Sequence, residues 1–181
     1  MSASDVVYRW DGPPRIALHR REGTRPDGRR FIAHWLETGD GTPGVVVCAI
    51  HEDKLLLVKS HRPSVGRDLW ELPRGFGEAQ DGSVAGSARR ELAEETGLHA
   101  TSASALGQYV TDSSVLPAPV GVVVCEVSTP HPIQEDDGEV DDTRWIPLSA
   151  VHAAIHAGEI CDAHSLAALA YIAERWALPR R

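Results

Sequence analysis

Cysteine occurs three times in the 181 residues, phenylalanine twice and methionine once. Cys48, Cys125 and Cys161 lie far apart and match no zinc-knuckle or redox spacing, which excludes a clustered thiolate site. Cys48 and Cys125 fall inside apolar, strand-like runs and read as small buried hydrophobes. No apolar run approaches the roughly 20 residues that a bilayer-spanning helix needs. Met1-Ser2-Ala3-Ser4-Asp5 carries neither the basic nor the apolar region of a secretory signal, so a cytoplasmic location is expected. Positive charge is also short: 18 Lys and Arg against 26 Asp and Glu leave a net charge of −8. That balance argues against a nucleic-acid surface, which wants clustered cations. It admits a small phosphorylated substrate, because a bound cation inverts the local field. The nine histidines show no His-x-x-His or His-Glu-x-x-His spacing, and none is a candidate ligand.

What the chain does have is Arg90-Glu91-Leu92-Ala93-Glu94-Glu95-Thr96-Gly97-Leu98. On a helix, Glu91, Glu94 and Glu95 project within roughly 100° of one another. Like charges at i,i+4 cost a helix about 0.2–0.5 kcal/mol when nothing neutralises them. Converging carboxylates suit a hard divalent cation such as Mg²⁺, held by one or two carboxylates plus substrate phosphates. Ser83 is the expected N-cap of this helix and Gly97 its stop.

Around this segment, Gly, Pro and charge punctuate the chain with no internal repeat. Val6–Trp10, Ile16–Arg20 and Phe31–Leu36 read as short strands, too poor in apolar mass to fold alone. They are expected to pack against the remainder or against a second subunit. Gly44–Ile50 and Lys54–Val58 read as a hairpin whose near-continuous apolar character suits strands covered on both faces. A loop rich in Gly, Pro and charge is expected from Ser60 to Gly82. Leu106–Thr111 and Val120–Val127 read as further strands, and Arg144–Pro147 as the end of another. Helices are expected at Leu148–Ala157 and Ser165–Trp176. Strands mixed with three helices imply a layered α/β sandwich.

The segment from Gly75 to Leu98 resembles the Nudix box, Gly-x5-Glu-x7-Arg-Glu-U-x-Glu-Glu-x-Gly-U with U aliphatic. Its second half matches at every specified position. The first half departs: counting back from Arg90 puts Gly82 at the Glu position, and counting forward from Gly75 puts Asp81 there with one residue too many afterwards. A one-residue insertion, with Asp81 or Glu78 replacing the missing Glu, accounts for both counts. His61-Arg62-Pro63, Leu69–Gly75 and Gly158–Leu169 are similar to segments of ADP-ribose pyrophosphatases and related nucleotide-sugar hydrolases.

The resemblance implies a Nudix-type α/β/α sandwich with a mixed sheet over residues 41–181. It also implies a short N-terminal strand region over residues 1–40, through which a homodimer forms. It implies hydrolysis of a nucleoside diphosphate linked to another moiety, ADP-ribose or a nucleotide sugar, with Mg²⁺ or Mn²⁺ as cofactor. No nucleic-acid or membrane partner is expected. Glu91, Glu94 and Glu95 would be metal ligands, with the backbone carbonyl of Arg74 completing the shell. Arg90 would orient the site by pairing with Glu94 or with a loop carboxylate. The general base is expected from Gln134-Glu135-Asp136-Asp137-Gly138-Glu139, with Glu139 first and Glu135 second. Arg62 is a candidate phosphate clamp, the alternative being a surface ion pair. Glu71 is a candidate substrate or metal-site contact, the alternative being a structural salt bridge. Trp10, Trp35 and Trp70 offer faces for a base, although aromatics commonly fill cores and interfaces. Asp112-Ser113-Ser114 stands where relatives carry Ser-Pro-Gly. Two other readings share these motifs: a non-catalytic nucleotide-binding module, and a hydrolase of dinucleoside polyphosphate, coenzyme A or an oxidised nucleotide.

Overall fold

Two apolar runs build the centre of the molecule. β4 (Gly44–His51) and β5 (Lys54–Arg62) form a hairpin around His51–Lys54, with Glu52 at φ 55° in the turn. A computed structural model describes residues 4–132 and 138–173. β6 (Arg67–Glu71) pairs with β5, and β7 (Arg74–Gly75) pairs with β4. β8 (Ala100–Asp112) and β9 (Leu116–Val127) form a long antiparallel hairpin, and β10 (Asp142–Pro147) closes the other edge against β5. The order along the sheet is β10-β5-β4-β9-β8. β4 and β9 run parallel while the other pairs are antiparallel, so the sheet is mixed, as expected.

Side-chain alternation along β4 divides the core into two layers. Val46, Cys48 and Ile50 face one side with Leu55, Leu57, Val122 and Val124, against α2 (Val151–His156) and α3 (Ala163–Ala173). Val45, Val47 and Ala49 face the other, against Ala88 and Leu92 of α1 (Val84–Thr96). Both faces are covered, which is why β4 reads as an unbroken apolar run. The helices lie on both sides of the sheet in an α/β/α sandwich.

A separate three-stranded antiparallel sheet precedes this one: β1 (Asp5–Trp10), β2 (Ile16–Thr24) and β3 (Arg30–Thr38). Leu36 N–H donates to the Val115 carbonyl at 2.7 Å and joins β3 to the turn between β8 and β9. β1 is the outer strand, and Val6, Val7, Tyr8 and Trp10 on it are exposed.

One expectation fails in this region. Ser60–Gly82 is not a continuous loop: it contains the end of β5, both β6 and β7, and a 3-10 turn at Ala79–Asp81. Within β6 the two buried positions are Leu69 and the charged Glu71, so the strand signal is diluted. The helix expected at Leu148–Ala157 opens instead with a 3-10 turn, Leu148–Ala150, before α2. Trp176 lies outside the described residues.

Candidate active site

The caps of α1 are the ones its sequence calls for. Ser83 Oγ accepts from Gly86 N–H at 3.0 Å, and Gly97, at φ 66°, donates to the Ala93 carbonyl at 2.9 Å. Within the helix, Glu91 and Glu95 are buried while the Glu94 side chain is 45 % exposed. The structure therefore brings Glu91 and Glu95 together at the sheet and turns Glu94 toward Arg90.

Gly75 explains how close this approach is. A Cβ there would lie 2.1–2.2 Å from the Glu91 carboxylate, so any side chain at that position would evict it. The Arg74 backbone N–H donates to Glu95, whereas Glu95 Oε2 is buried with no hydrogen-bond partner among the described residues. Burial, reinforced by the charge of Glu91, pushes Glu95 up to about 8. Burial also pushes Glu91 up to about 7, against the opposing pull of Arg90. Two adjacent buried carboxylates, one with an orphaned oxygen and both raised despite the neighbouring arginines, form a site short of positive charge. An oxygen-only donor set of this kind fits a hard divalent cation. Among the described residues no three acidic, histidine or cysteine side chains cage an ion. The pair therefore leaves coordination positions to backbone, water or substrate oxygens, which suits Mg²⁺.

Arg90 locks the loop in front of the helix. It donates to Asp81 (3.0 and 3.2 Å), Glu94 (2.6 Å) and the Phe76 carbonyl (2.7 Å), and it lies 3.0 Å from Glu91. Both expected partners, Glu94 and a loop carboxylate, are engaged. Asp81 is that loop carboxylate, and its hydrogen bonds from Arg90 hold it down at about 2. Glu78 instead caps the 3-10 turn reciprocally with Asp81, its N–H donating to Asp81 Oδ2 at 2.9 Å. Gly82, at φ 70°, takes up the additional residue in a left-handed conformation that glycine adopts freely.

Glu71 is fully buried between two arginines. Arg62 reaches it with Nε (3.1 and 3.2 Å) and Nη2 (2.7 Å), and Arg74 with Nε (3.1 Å). Burial alone would raise this carboxyl, but the Arg62 hydrogen bonds and Arg74 bring it below its ordinary value. Glu71 thus anchors two guanidinium groups, in the place of the substrate contact expected of it. The Nη1 group of Arg62 and both Nη groups of Arg74 make no hydrogen bond among the described residues.

Glu139 acts as a like charge on Glu91 and adds slightly to the upward shift of that carboxyl. Glu135 and the rest of that loop's tip lie outside the described residues. The tryptophan faces are largely taken: His19 stacks on Trp35 at 5.1 Å, and Arg144 lies 4.4 Å from the Trp70 ring centre. Trp10 is exposed on β1. Asp112 holds its own turn through Ser114 N–H (2.8 Å) and Ser114 Oγ (2.6 Å).

Beside Arg74 and Gly75 opens a cavity of about 240 Å³, walled by Thr38, Phe76, Thr111, Leu116 and His164 among others. His164 and its partner Tyr109 escaped the sequence reading. They are 55 positions apart and no motif links them.

Residues 41–169 match the family described as the NUDIX domain. The chain is 28 % identical over 163 residues to an ADP-ribose pyrophosphatase of Mycobacterium tuberculosis, covering 84 % of this chain and 73 % of that one. Its fold is similar to a solved ADP compounds hydrolase with a TM-score of 0.82 at 19 % identity, covering 96 % of this chain and 91 % of that one.

Proposed function

The chain belongs to the Nudix hydrolase family, and from that membership we propose that it cleaves the pyrophosphate bond of ADP-ribose or a nucleotide sugar in a Mg²⁺-dependent reaction, Mn²⁺ substituting. The observation that carries this reading is the buried Glu91–Glu95 pair packed on Gly75, with one carboxylate oxygen left without a partner among the described residues. A module that only binds a nucleotide has no use for so costly a pair.

Glu91, Glu95 and Glu94, with the Arg74 carbonyl, would hold the cation. When bound, it neutralises the clustered phosphate oxygens and makes water a better nucleophile. Arg90 keeps the carboxylates and the Phe76 loop in place. Arg62 and Arg74, steered by Glu71, direct their uncommitted Nη groups to the diphosphate, where guanidinium forks bind bidentately. Glu71 is thus a positioning residue. Glu139 takes the proton of the attacking water, and the like charge it exerts on Glu91 supports that role. The substrate preference follows the ADP-ribose pyrophosphatase and ADP compounds hydrolase to which the chain is similar.

The same reading includes a homodimer joined through the exposed apolar strand β1. It also includes a cytoplasmic location, with which the free thiols of Cys48, Cys125 and Cys161 agree. No described helix is long and apolar enough to cross a membrane.

The test is a phosphatase-coupled phosphate-release screen with and without Mg²⁺. It covers ADP-ribose, nucleotide sugars, dinucleoside polyphosphates, coenzyme A and oxidised nucleotides. Mg²⁺-dependent release from the first two classes is expected. Silence across the panel, with nucleotide still bound, would establish the binding-module alternative.

A further inference from the structure

The cavity beside Arg74 and Gly75 has one wall that the proposed chemistry does not use. His164, the second residue of α3, lines it half-buried. Its Nδ1 stands 2.6 Å from the hydroxyl of Tyr109 on β8, and the two rings meet edge to face at 5.9 Å. That contact is the only hydrogen bond of the Tyr109 hydroxyl among the described residues. If the imidazole donated from Nδ1, the phenol hydrogen would be left without an acceptor in a half-buried place. The arrangement that satisfies both groups has Tyr109 donating to Nδ1, which puts the imidazole hydrogen on Nε2. Burial favours the neutral imidazole, and nearby Arg74 acts in the same direction. Burial also keeps the Tyr109 hydroxyl protonated, its pKa lying well above the ordinary tyrosine value.

The position of His164 is tied to the turn that carries Arg74. Ser165 Oγ, fully buried, accepts from Leu72 N–H at 2.8 Å, and Asp162 caps the same helix end by accepting from Ser165 N–H at 2.9 Å. α3 is therefore clipped to the strand preceding Pro73-Arg74-Gly75, and His164 keeps a fixed offset from Arg74. With Nδ1 occupied, Nε2–H is the imidazole group left to meet whatever fills the cavity. At about 240 Å³ the cavity falls below the 300–1,000 Å³ of sites that enclose a whole drug-sized ligand. It suits one sugar-sized group of the substrate rather than the entire molecule. The hydroxyls of Thr38 and Thr111 and the apolar faces of Phe76 and Leu116 complete a wall for a neutral polyhydroxyl group.

We propose that His164 is a specificity-determining contact, its Nε2–H donating to a sugar oxygen of a sugar-phosphate group lodged beside Arg74, and that Tyr109 is a positioning residue that fixes this tautomer. The proposal rests on the reading that a nucleoside diphosphate derivative occupies this site. A neutral donor on a neutral sugar oxygen selects by geometry, and a site built to bond a hydroxyl penalises ligands that lack it.

The test is calorimetric binding of ribose 5-phosphate, with inorganic phosphate as control, in EDTA so that no cation is involved. His164→Ala is expected to weaken ribose 5-phosphate about five- to tenfold, the worth of one hydrogen bond, and to leave phosphate unchanged. His164→Gln, which restores an amide donor, should recover most of that loss. Tyr109→Phe should weaken ribose 5-phosphate about two- to threefold while its melting temperature stays near that of the parent. In turnover, His164→Ala should raise KM with little change in kcat. Equal losses for both probes, no loss for ribose 5-phosphate, or no binding of it by the parent protein would each overturn the proposal. If the parent hydrolyses nothing yet binds ribose 5-phosphate through His164, the hydrolase reading falls and this one stands.

Discussion

Asp81 and Arg90 meet through two hydrogen bonds, Nε to Oδ1 at 3.0 Å and Nη2 to Oδ2 at 3.2 Å. This pairing fills the role that the displaced box glutamate leaves open. Asp81→Asn should destabilise the protein by about 1–3 kcal/mol in urea unfolding, because it weakens a charged pair whose carboxylate is nearly buried. Asp81→Glu should retain most of the stability. An Asn variant as stable as the parent would show that Glu94 and the Phe76 carbonyl suffice to hold Arg90.

Glu91→Gln and Glu95→Gln should each reduce Mg²⁺-dependent turnover to background. The second should also leave the cation-free protein at least as stable as the parent at pH 8, since it removes a buried charge one of whose oxygens has no hydrogen-bond partner among the described residues. Turnover near the parental rate in both variants would remove the pair as the cation site.

The two raised carboxyls set the pH response of the cation-free protein. Folded-state values of about 7 for Glu91 and about 8 for Glu95 exceed the ordinary glutamate range, so the folded chain binds these protons more tightly than the unfolded chain. Their contribution to stability is complete below the unfolded value and is lost as pH rises through about 7 to 8. Asp81 and Glu71 are shifted downward and act only in acid, as pH falls below the ordinary carboxylate range. Melting temperature in EDTA should therefore fall between about pH 5.5 and 8.5, and Mg²⁺ should raise it more at the upper limit. A Mg²⁺ shift independent of pH would contradict this coupling.

Glu139→Gln should lower kcat by about 10²–10⁴, the usual worth of a general base, with KM nearly unchanged. An unaltered rate would move the base elsewhere in the acidic loop.

Val6→Asp combined with Tyr8→Asp should convert a dimer to a monomer in light scattering. Both side chains are exposed on the outer strand of the N-terminal sheet. A parent protein that is already monomeric at micromolar concentration would remove the interface.

The parts of the fold legible in the sequence are those whose signals are local. Ser83 and Gly97 mark the ends of α1 because caps act within a turn, and β4 is visible because both its faces are apolar. The parts that were hidden depend on pairing across the chain. Glu71 reads equally as a substrate or metal-site contact and as a salt bridge until the β5–β6 register brings it beside Arg62. β8 extends back to Ala100, through a Ser- and Ala-rich stretch whose bulges break the two-residue alternation that a strand normally displays. The Arg90–Glu94 pair was legible from its i,i+4 spacing, whereas the burial that separates Glu91 and Glu95 from Glu94 was not, because helical spacing gives a common side but not the sheet packed against it.

The parallel pairing of β4 with β9 also governs the order in which the molecule is built. Residues 44–50 meet β5 and β7 early, but their parallel partner, residues 120–126, exists only after the box helix has been made. During synthesis the central sheet must wait for that later strand, since non-local pairings require a long loop to close first. The pairing of Gly75 with β4, on which the carboxylate pair relies, needs no later strand, but the sheet that carries it is incomplete until β9 is made. A nascent chain ending before Leu116 therefore carries the whole box motif on an unfinished sheet.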